Sequence, residues 1–136
     1  MKEKFPRLER IASYATAKDI LRLSVGQLKE LKNLKLGILY MGIESGNNDI
    51  LQHVHKNLVS QEIIEAGKKV KESGIILSVT VILGLGGIEK SQQHALATAK
   101  ILSLLDPEYV GALTLTLVPG TPLYDHYRQG IFAPIS

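Results

Sequence analysis

Cysteine is missing from all 136 residues, so the chain supplies no disulfide and no thiolate, whether as nucleophile or as metal ligand. Tryptophan is missing too, and aromatic residues make up only 5%, too few for the stacking platforms of a nucleic-acid reader. Neither sign of charge dominates: 16 Lys and Arg against 13 Asp and Glu leave a net charge of +3. The bases either alternate with acids (Glu65, Lys68, Lys69, Lys71, Glu72) or gather near the start (Lys2, Lys4, Arg7, Arg10), which argues against nucleic acid as a partner. No apolar run reaches the roughly 20 residues that a membrane-spanning helix needs. The charged opening MKEKFPRLER has no apolar stretch after it, so no secretory signal is expected and a cytoplasmic location is the default.

Catalytic and metal motifs are equally scarce. GIESG has Glu where a nucleophile elbow needs Ser, and no Ser, His and Asp follow one another in a hydrolase order. His53 and His55 are two apart and point to different faces of a helix, whereas helical metal pairs are usually spaced i,i+4. His94 and His126 have no flanking Cys or Glu pattern. No metal site is expected from these residues.

What is present is a soluble globular composition, 45% apolar, in one domain's length of chain (residues 1–136). Apolar runs alternate with amphipathic stretches. RIASYA (10–15) predicts a short strand, and Asp19 to Leu23 a helical turn. Ser24 and Gln27 form a capping box that opens a helix carrying Leu28 and Leu31. KLGILYMGI (35–43) reads as a strand buried on both faces. Asn47 or Asn48 caps a short helix with Ile50, Leu51 and Val54. Ser60 is expected to cap a longer helix with an apolar stripe of Ile63, Ile64, Ala66, Gly67 and Val70 and an i,i+4 pair between Glu65 and Lys69, ended by Gly74. IILSVTVIL (75–83) is the third strand. A helix over 91–105 is expected to bury Ala95, Ala99 and Leu102 and to stop at Asp106-Pro107. VGALTLTLV (110–118) is the fourth strand, closed by PGTPLY, and the tail over 125–136 shows no core pattern of its own.

Strand and helix alternating at this spacing predict parallel βαβ units with right-handed crossovers. Four strands cannot close an eight-stranded barrel, so the chain is either a small open sheet or a slice of something larger. Turns after the C-terminal ends of parallel strands gather on one face, where ligands bind. Two such turns are glycine-rich: Gly42 to Gly46 (GIESG) and Leu83 to Gly87 (LGLGG). Glu44 and Ser45 offer a carboxylate and a hydroxyl at a strand tip, suited to ribose hydroxyls or an amino group, and Gly46 would let backbone approach a ligand. The alternative is a turn in which Ser45 merely caps the next helix. Backbone around Gly84, Gly86 and Gly87 could lie against a flat ring; Lys56 could pair with a carboxylate or be an ordinary surface lysine. Leu115 and Leu117 could pack under such a ring or simply belong to a core strand. Tyr14 and Thr16, at the first strand tip, could face a substrate.

SYAT (13–16), GIESGN, Lys56 in HKN, ILGLGG and LTLVPGTPLY, in this order, resemble the radical SAM superfamily, and more narrowly uncharacterised bacterial Fe–S oxidoreductases. The resemblance covers nearly the whole chain. It implies a fold, the C-terminal part of a partial (β/α) barrel with about four parallel strands and outer helices. It implies cofactors, S-adenosylmethionine (SAM) and a 4Fe–4S cluster, whose three cysteines in a CxxxCxxC loop are missing here and would lie upstream of Met1. By the same resemblance Glu44, Ser45 and Gly46 are the ribose-contacting strand end, and Lys56 pairs with the methionyl carboxylate. Gly84, Gly86 and Gly87 lie near the adenine-side GxIxGxxE region, in loose register, with Leu117 beside the ring. Radical chemistry would then belong to a parent protein. The isolated chain is expected to be inactive, to hold no cofactor tightly and to self-associate through exposed sheet edges.

Two other readings stand beside this one. One is a non-catalytic α/β module that binds a nucleotide or a protein. The other is a dinucleotide-binding domain, suggested by GLGG after a strand with Asp106 some 20 residues on, although its glycine pattern is incomplete.

Overall fold

The computed structural model describes residues 5–135, so Lys2, Lys4 and the last tail residue lie outside the described residues. Apolar runs and capped amphipathic segments alternate as β1 (Ile11–Tyr14), α1 (Ala17–Leu21), α2 (Val25–Asn33), β2 (Leu36–Glu44), α3 (Asn48–His53), α4 (Ser60–Ser73), β3 (Ile76–Leu83), α5 (Ser91–Leu105), β4 (Tyr109–Thr114) and α6 (Pro122–Arg128). The four strands form one sheet in the order β1-β2-β3-β4, and every pair is parallel. A sheet that adds each strand on the same side, without reversing, is the winding of a (β/α) barrel wall. A doubly wound domain instead reverses its strand order and binds ligand at the switch point. The dinucleotide-binding alternative therefore fails on topology. It fails again on Asp106, which follows the C-terminus of α5 at the far end from the GLGG turn and pairs with Lys71 at 3.0 Å.

The core lies on one face of the sheet. Leu39, Met41 and Ile43 of β2 and Leu77, Val79 and Val81 of β3 pack against Ala17, Ile20, Leu28, Ile63, Val70, Ile101 and Leu105 of the helices. The alternate residues of the same strands, Tyr40 and Thr80 among them, face the opposite, concave side, where a cleft opens among the described residues. Both strands are nearly continuous in apolar residues, yet only one face packs into the helical layer, because four strands do not curl far enough to fill a barrel interior.

Several local expectations hold. Ser24 and Gln27 form the reciprocal capping box, Asn47 caps α3 through the amides of Asp49 and Ile50, and Gly74 ends α4 in the left-handed region at φ 75°. Others are corrected. The cap of α4 is Val59, not Ser60: Val59 is extended, and Glu62 reaches back to accept from its amide at 3.0 Å. Lys69 leaves the expected pairing with Glu65 and donates to the Leu21 carbonyl at 3.0 Å, tying α4 to the end of α1. Helix α5 is rotated from the expected face: Ala95 and Ala99 are exposed, and His94, Thr98, Ile101 and Leu105 are buried. Strand β4 stops at Thr114 and is exposed along its whole length, because among the described residues it is the edge strand of the sheet. The tail also has structure. Thr121 caps α6, and the chain then folds back so that the Ile88 amide donates to the Ala133 carbonyl at 2.9 Å.

Candidate functional site

The strand tips converge at one end of the concave face. A cleft of about 560 Å³ there is lined by Tyr14, Tyr40, Glu44, Thr80 and Leu113, among others, drawn from all four strands, by Thr16 after β1 and by Lys56 after α3. Neighbouring residues of β1 and β2 place Tyr14 opposite Tyr40, with ring centroids 5.3 Å apart, as a tilted aromatic wall. Thr80 of β3 lies across from Gly42.

Glu44 enters this cleft at a backbone irregularity. The β2–β3 register shifts between Gly42 and Glu44, and Glu44 itself takes a positive φ of 58°, uncommon for a residue with a side chain. A bulge at a strand end can re-aim the following side chain. Here the shift leaves the alternation intact: Glu44 shares the face of Tyr40 and Gly42, and its Oε1 accepts from Lys56 Nζ at 2.6 Å. Lys56 is carried there by the chain after α3, where His55 also has a positive φ of 54°. The two side chains keep only 27% (Lys56) and 20% (Glu44) of their exposure, so the pair is partly desolvated while remaining open to the cleft.

Ser45 sits behind the cleft rather than in it. It is fully buried, its hydroxyl is hydrogen-bonded to His94 Nδ1 at 2.8 Å, and its oxygen accepts from the Asn47 amide at 3.0 Å. Gly46 is also buried. A Cβ at this position would collide with the carbonyl of Ala97 in α5, so the glycine serves a close approach of loop to helix. The Gly46 amide donates to Thr98 Oγ1 at 3.0 Å.

The second glycine-rich turn follows β3. Gly84 has φ 84°, and a Cβ there would meet nothing closer than the Leu115 Cβ at 3.7 Å, so the tip is open on the β4 side. Gly86 lines a separate cavity with Ile50, His53 and Phe132, and Gly87 lies beneath Phe132 and Ala133 of the returning tail. Of the three glycines only Gly84 stands on the open side of the turn. Leu117 is half-buried in the segment after β4, which leaves the sheet once the Leu115 amide has paired with the Leu83 carbonyl at 2.9 Å.

Thr16 is occupied as the cap of α1. Its hydroxyl donates to Asp19 Oδ2 at 2.6 Å and its amide donates to the same oxygen at 3.1 Å, which together hold the Asp19 carboxyl below its ordinary value. Among the described residues no group of three or more His, Asp or Glu side chains is placed to hold a metal ion, and no helix is long and apolar enough to cross a membrane.

The residue behind the cleft that the sequence analysis weighed only as a metal ligand is His94. Its imidazole bonds to Ser45 on one side and to the Ile82 carbonyl, at 2.9 Å, on the other. The available signal was the stripe His94, Thr98, Ile101 and Leu105, which repeats at i, i+4, i+7 and i+11 and marks the buried face of α5.

No family model matches the chain. It is 33% identical over 126 residues to an uncharacterised protein of Methanocaldococcus jannaschii, covering 83% of this chain and 38% of that protein. It is 30% identical over 108 residues to an uncharacterised methyltransferase of Pyrococcus horikoshii, covering 77% of this chain and 23% of that one. Among solved structures it superposes on an N-terminally deleted Elp3 of the archaeon Methanocaldococcus infernus with a TM-score of 0.76 at 20% identity, over 93% of this chain and 29% of that one. It superposes on HemN, the coproporphyrinogen III oxidase of Escherichia coli and a radical SAM enzyme, with a TM-score of 0.70 at 16% identity, over 93% of this chain and 28% of that one. The fold is thus radical SAM-like, a four-stranded parallel sheet with surrounding helices, as the resemblance implied. The chain spans between about a quarter and two-fifths of the length of these relatives.

Proposed function

We propose that these strand tips form the S-adenosylmethionine-binding side of a radical SAM core. The observation that carries this reading is the Glu44–Lys56 pair, held at a register shift and a positive φ in an open cleft at the C-terminal end of parallel strands. An isolated ion pair with one open side suits a ligand that carries both charges: Lys56 can exchange its partner for the methionyl carboxylate, leaving Glu44 for an ammonium or ribose hydroxyls. The neighbouring Gly84 tip offers backbone to a flat base without an intervening side chain. Ser45 and Gly46 contribute from behind by fixing the loop that carries Glu44. Gly86, Gly87 and Leu117 support the base side through the shape of their loops.

The residues fit S-adenosylmethionine; they do not fit a 4Fe–4S cluster. There is no cysteine in the sequence and no metal-holding group among the described residues. Cluster ligands would have to come from outside these 136 residues. No chemical step is assigned to the chain by itself.

Calorimetric titration of the chain with S-adenosylmethionine and, separately, with NAD tests the reading. The expected result is weak binding of S-adenosylmethionine, lost in Glu44→Ala and in Gly84→Val, and no binding of NAD. Unchanged affinity in Glu44→Ala would remove the site assignment. Absence of binding to either nucleotide would favour the protein-binding module instead.

A further inference from the structure

We infer that His94 is a positioning residue that sets the distance between the two halves of the candidate nucleoside cleft, an inference resting on the function proposed above. Parallel strands β2 and β3 end side by side, but each continues into its own loop, and backbone pairing no longer holds those loops together beyond Val81. His94, in the first turn of α5 and only 6% exposed, spans that gap. One ring nitrogen meets Ser45, the residue after Glu44; the other meets the carbonyl of Ile82, two residues before Gly84. A single side chain thus touches both strand tips from beneath the cleft.

Donor and acceptor roles follow from what each partner can do. A backbone carbonyl only accepts, so Nε2 carries the proton and donates to Ile82. In the neutral ring Nδ1 is then an acceptor and takes the Ser45 hydroxyl hydrogen, which leaves the Ser45 oxygen free to accept from Asn47. Thr98, one turn further along α5, accepts from Gly46 and lies 3.4 Å from Nδ1. Every atom of this buried set has a partner, and fully satisfied buried networks rigidify the elements they join. Removing the ring would leave the Ile82 carbonyl and the Ser45 hydroxyl without their partners, and the two loops free to move independently.

Nuclear magnetic resonance of the chain tests this directly. Long-range proton–nitrogen spectra of the wild type are expected to show His94 protonated at Nε2 alone. His94→Leu is expected to displace the amide resonances of Glu44 to Asn47 and of Ile82 to Gly84 while leaving Val70 in place, and to weaken S-adenosylmethionine binding about tenfold. An Asn amide oxygen can take the place of Nδ1, so His94→Asn should restore the Ser45 loop alone. A Gln amide nitrogen can take the place of Nε2, so His94→Gln should restore the Ile82 loop alone. A ring protonated at Nδ1, or two variants that restore both loops equally, would overturn the assignment, and these two measurements decide it even if the Leu variant does not fold. A wild type that shows this pattern but binds no S-adenosylmethionine would refute the proposed function and leave the coupling of the two tips intact.

Discussion

Glu44 and Lys56 meet at 2.6 Å on the concave face of the sheet, although each reaches it through a backbone with positive φ at or beside the residue: Glu44 itself at 58° and His55 at 54°. Two such conformations serving one ion pair are a concentration of local strain. Strain of this kind persists where the surrounding structure enforces it, and it clusters at ligand sites. Lys56→Ala is expected to weaken S-adenosylmethionine binding about tenfold, or about 1.4 kcal/mol. Equal affinities of the two proteins in calorimetry would show that the lysine meets no ligand.

Gly46 and Gly111 separate packing from ligand contact. Gly46→Ala places a methyl group against the backbone of Ala97 and Thr98, which cannot yield as a flexible side chain would. A loss of about 2 kcal/mol in urea unfolding is expected, typical of overpacking. Gly111→Ala meets only ordinary contacts at 3.7 Å or more and should stay within about 0.5 kcal/mol of wild type. Equal midpoints for the two variants would contradict the close approach of loop and helix.

We propose that the chain self-associates through its bare sheet surfaces. Along β4, Tyr109, Val110 and Leu113 are exposed by 57%, 50% and 59%, and one side of that strand has no hydrogen-bonding neighbour among the described residues. Unpaired strand edges with apolar side chains recruit further strands, and charge on the edge blocks this. Light scattering at tens of micromolar, roughly the range where such surfaces associate, is expected to show a dimer. Val110→Lys combined with Leu113→Lys should return a monomer. A wild type that stays monomeric at this concentration would refute the proposal.

Asp19 gives a pH dependence with a definite sign. The side-chain bond from Thr16, then its backbone bond, hold the folded carboxyl below the ordinary aspartate value of about 3.9. A group whose pKa is depressed by folding contributes stability above its unfolded value, and the contribution disappears as pH falls through the folded one. The wild type should therefore lose part of its urea stability on acidification below pH about 4. Thr16→Ala should flatten that part of the profile, and superimposable profiles would exclude the capping pair as its source.

Much of the fold was legible from local chemistry. Ser24 with Gln27, Asn47, and Gly74 at a left-handed φ each state an element boundary through hydrogen bonds made within a few residues. The cleft was legible only in part. Glu44, Lys56 and Gly84 were readable as residues after strand ends; Glu44 and Lys56 line the cleft, and Gly84 does not. Ser45 has the same local context as Glu44, yet it faces the core, because alternation along the strand continues past the bulge and α5 supplies an imidazole on that side. His94 carried no short-range motif, and its partners are 49 and 12 residues away in sequence.

The amino-acid sequence by itself determined the alternation of strands and helices, the caps of α2 and α3, the glycine end of α4 and the exclusion of thiolate chemistry, since each depends on residue type or on neighbours within a turn. Tertiary structure alone decided which face of α5 is buried, that β4 is an exposed edge and that the tail folds back over Gly87. It also decided that Glu44 meets Lys56 in the cleft while Ser45 meets His94 behind it. Those outcomes depend on close packing and hydrogen bonding between segments far apart in the chain, where the shape of one surface selects what the other can present.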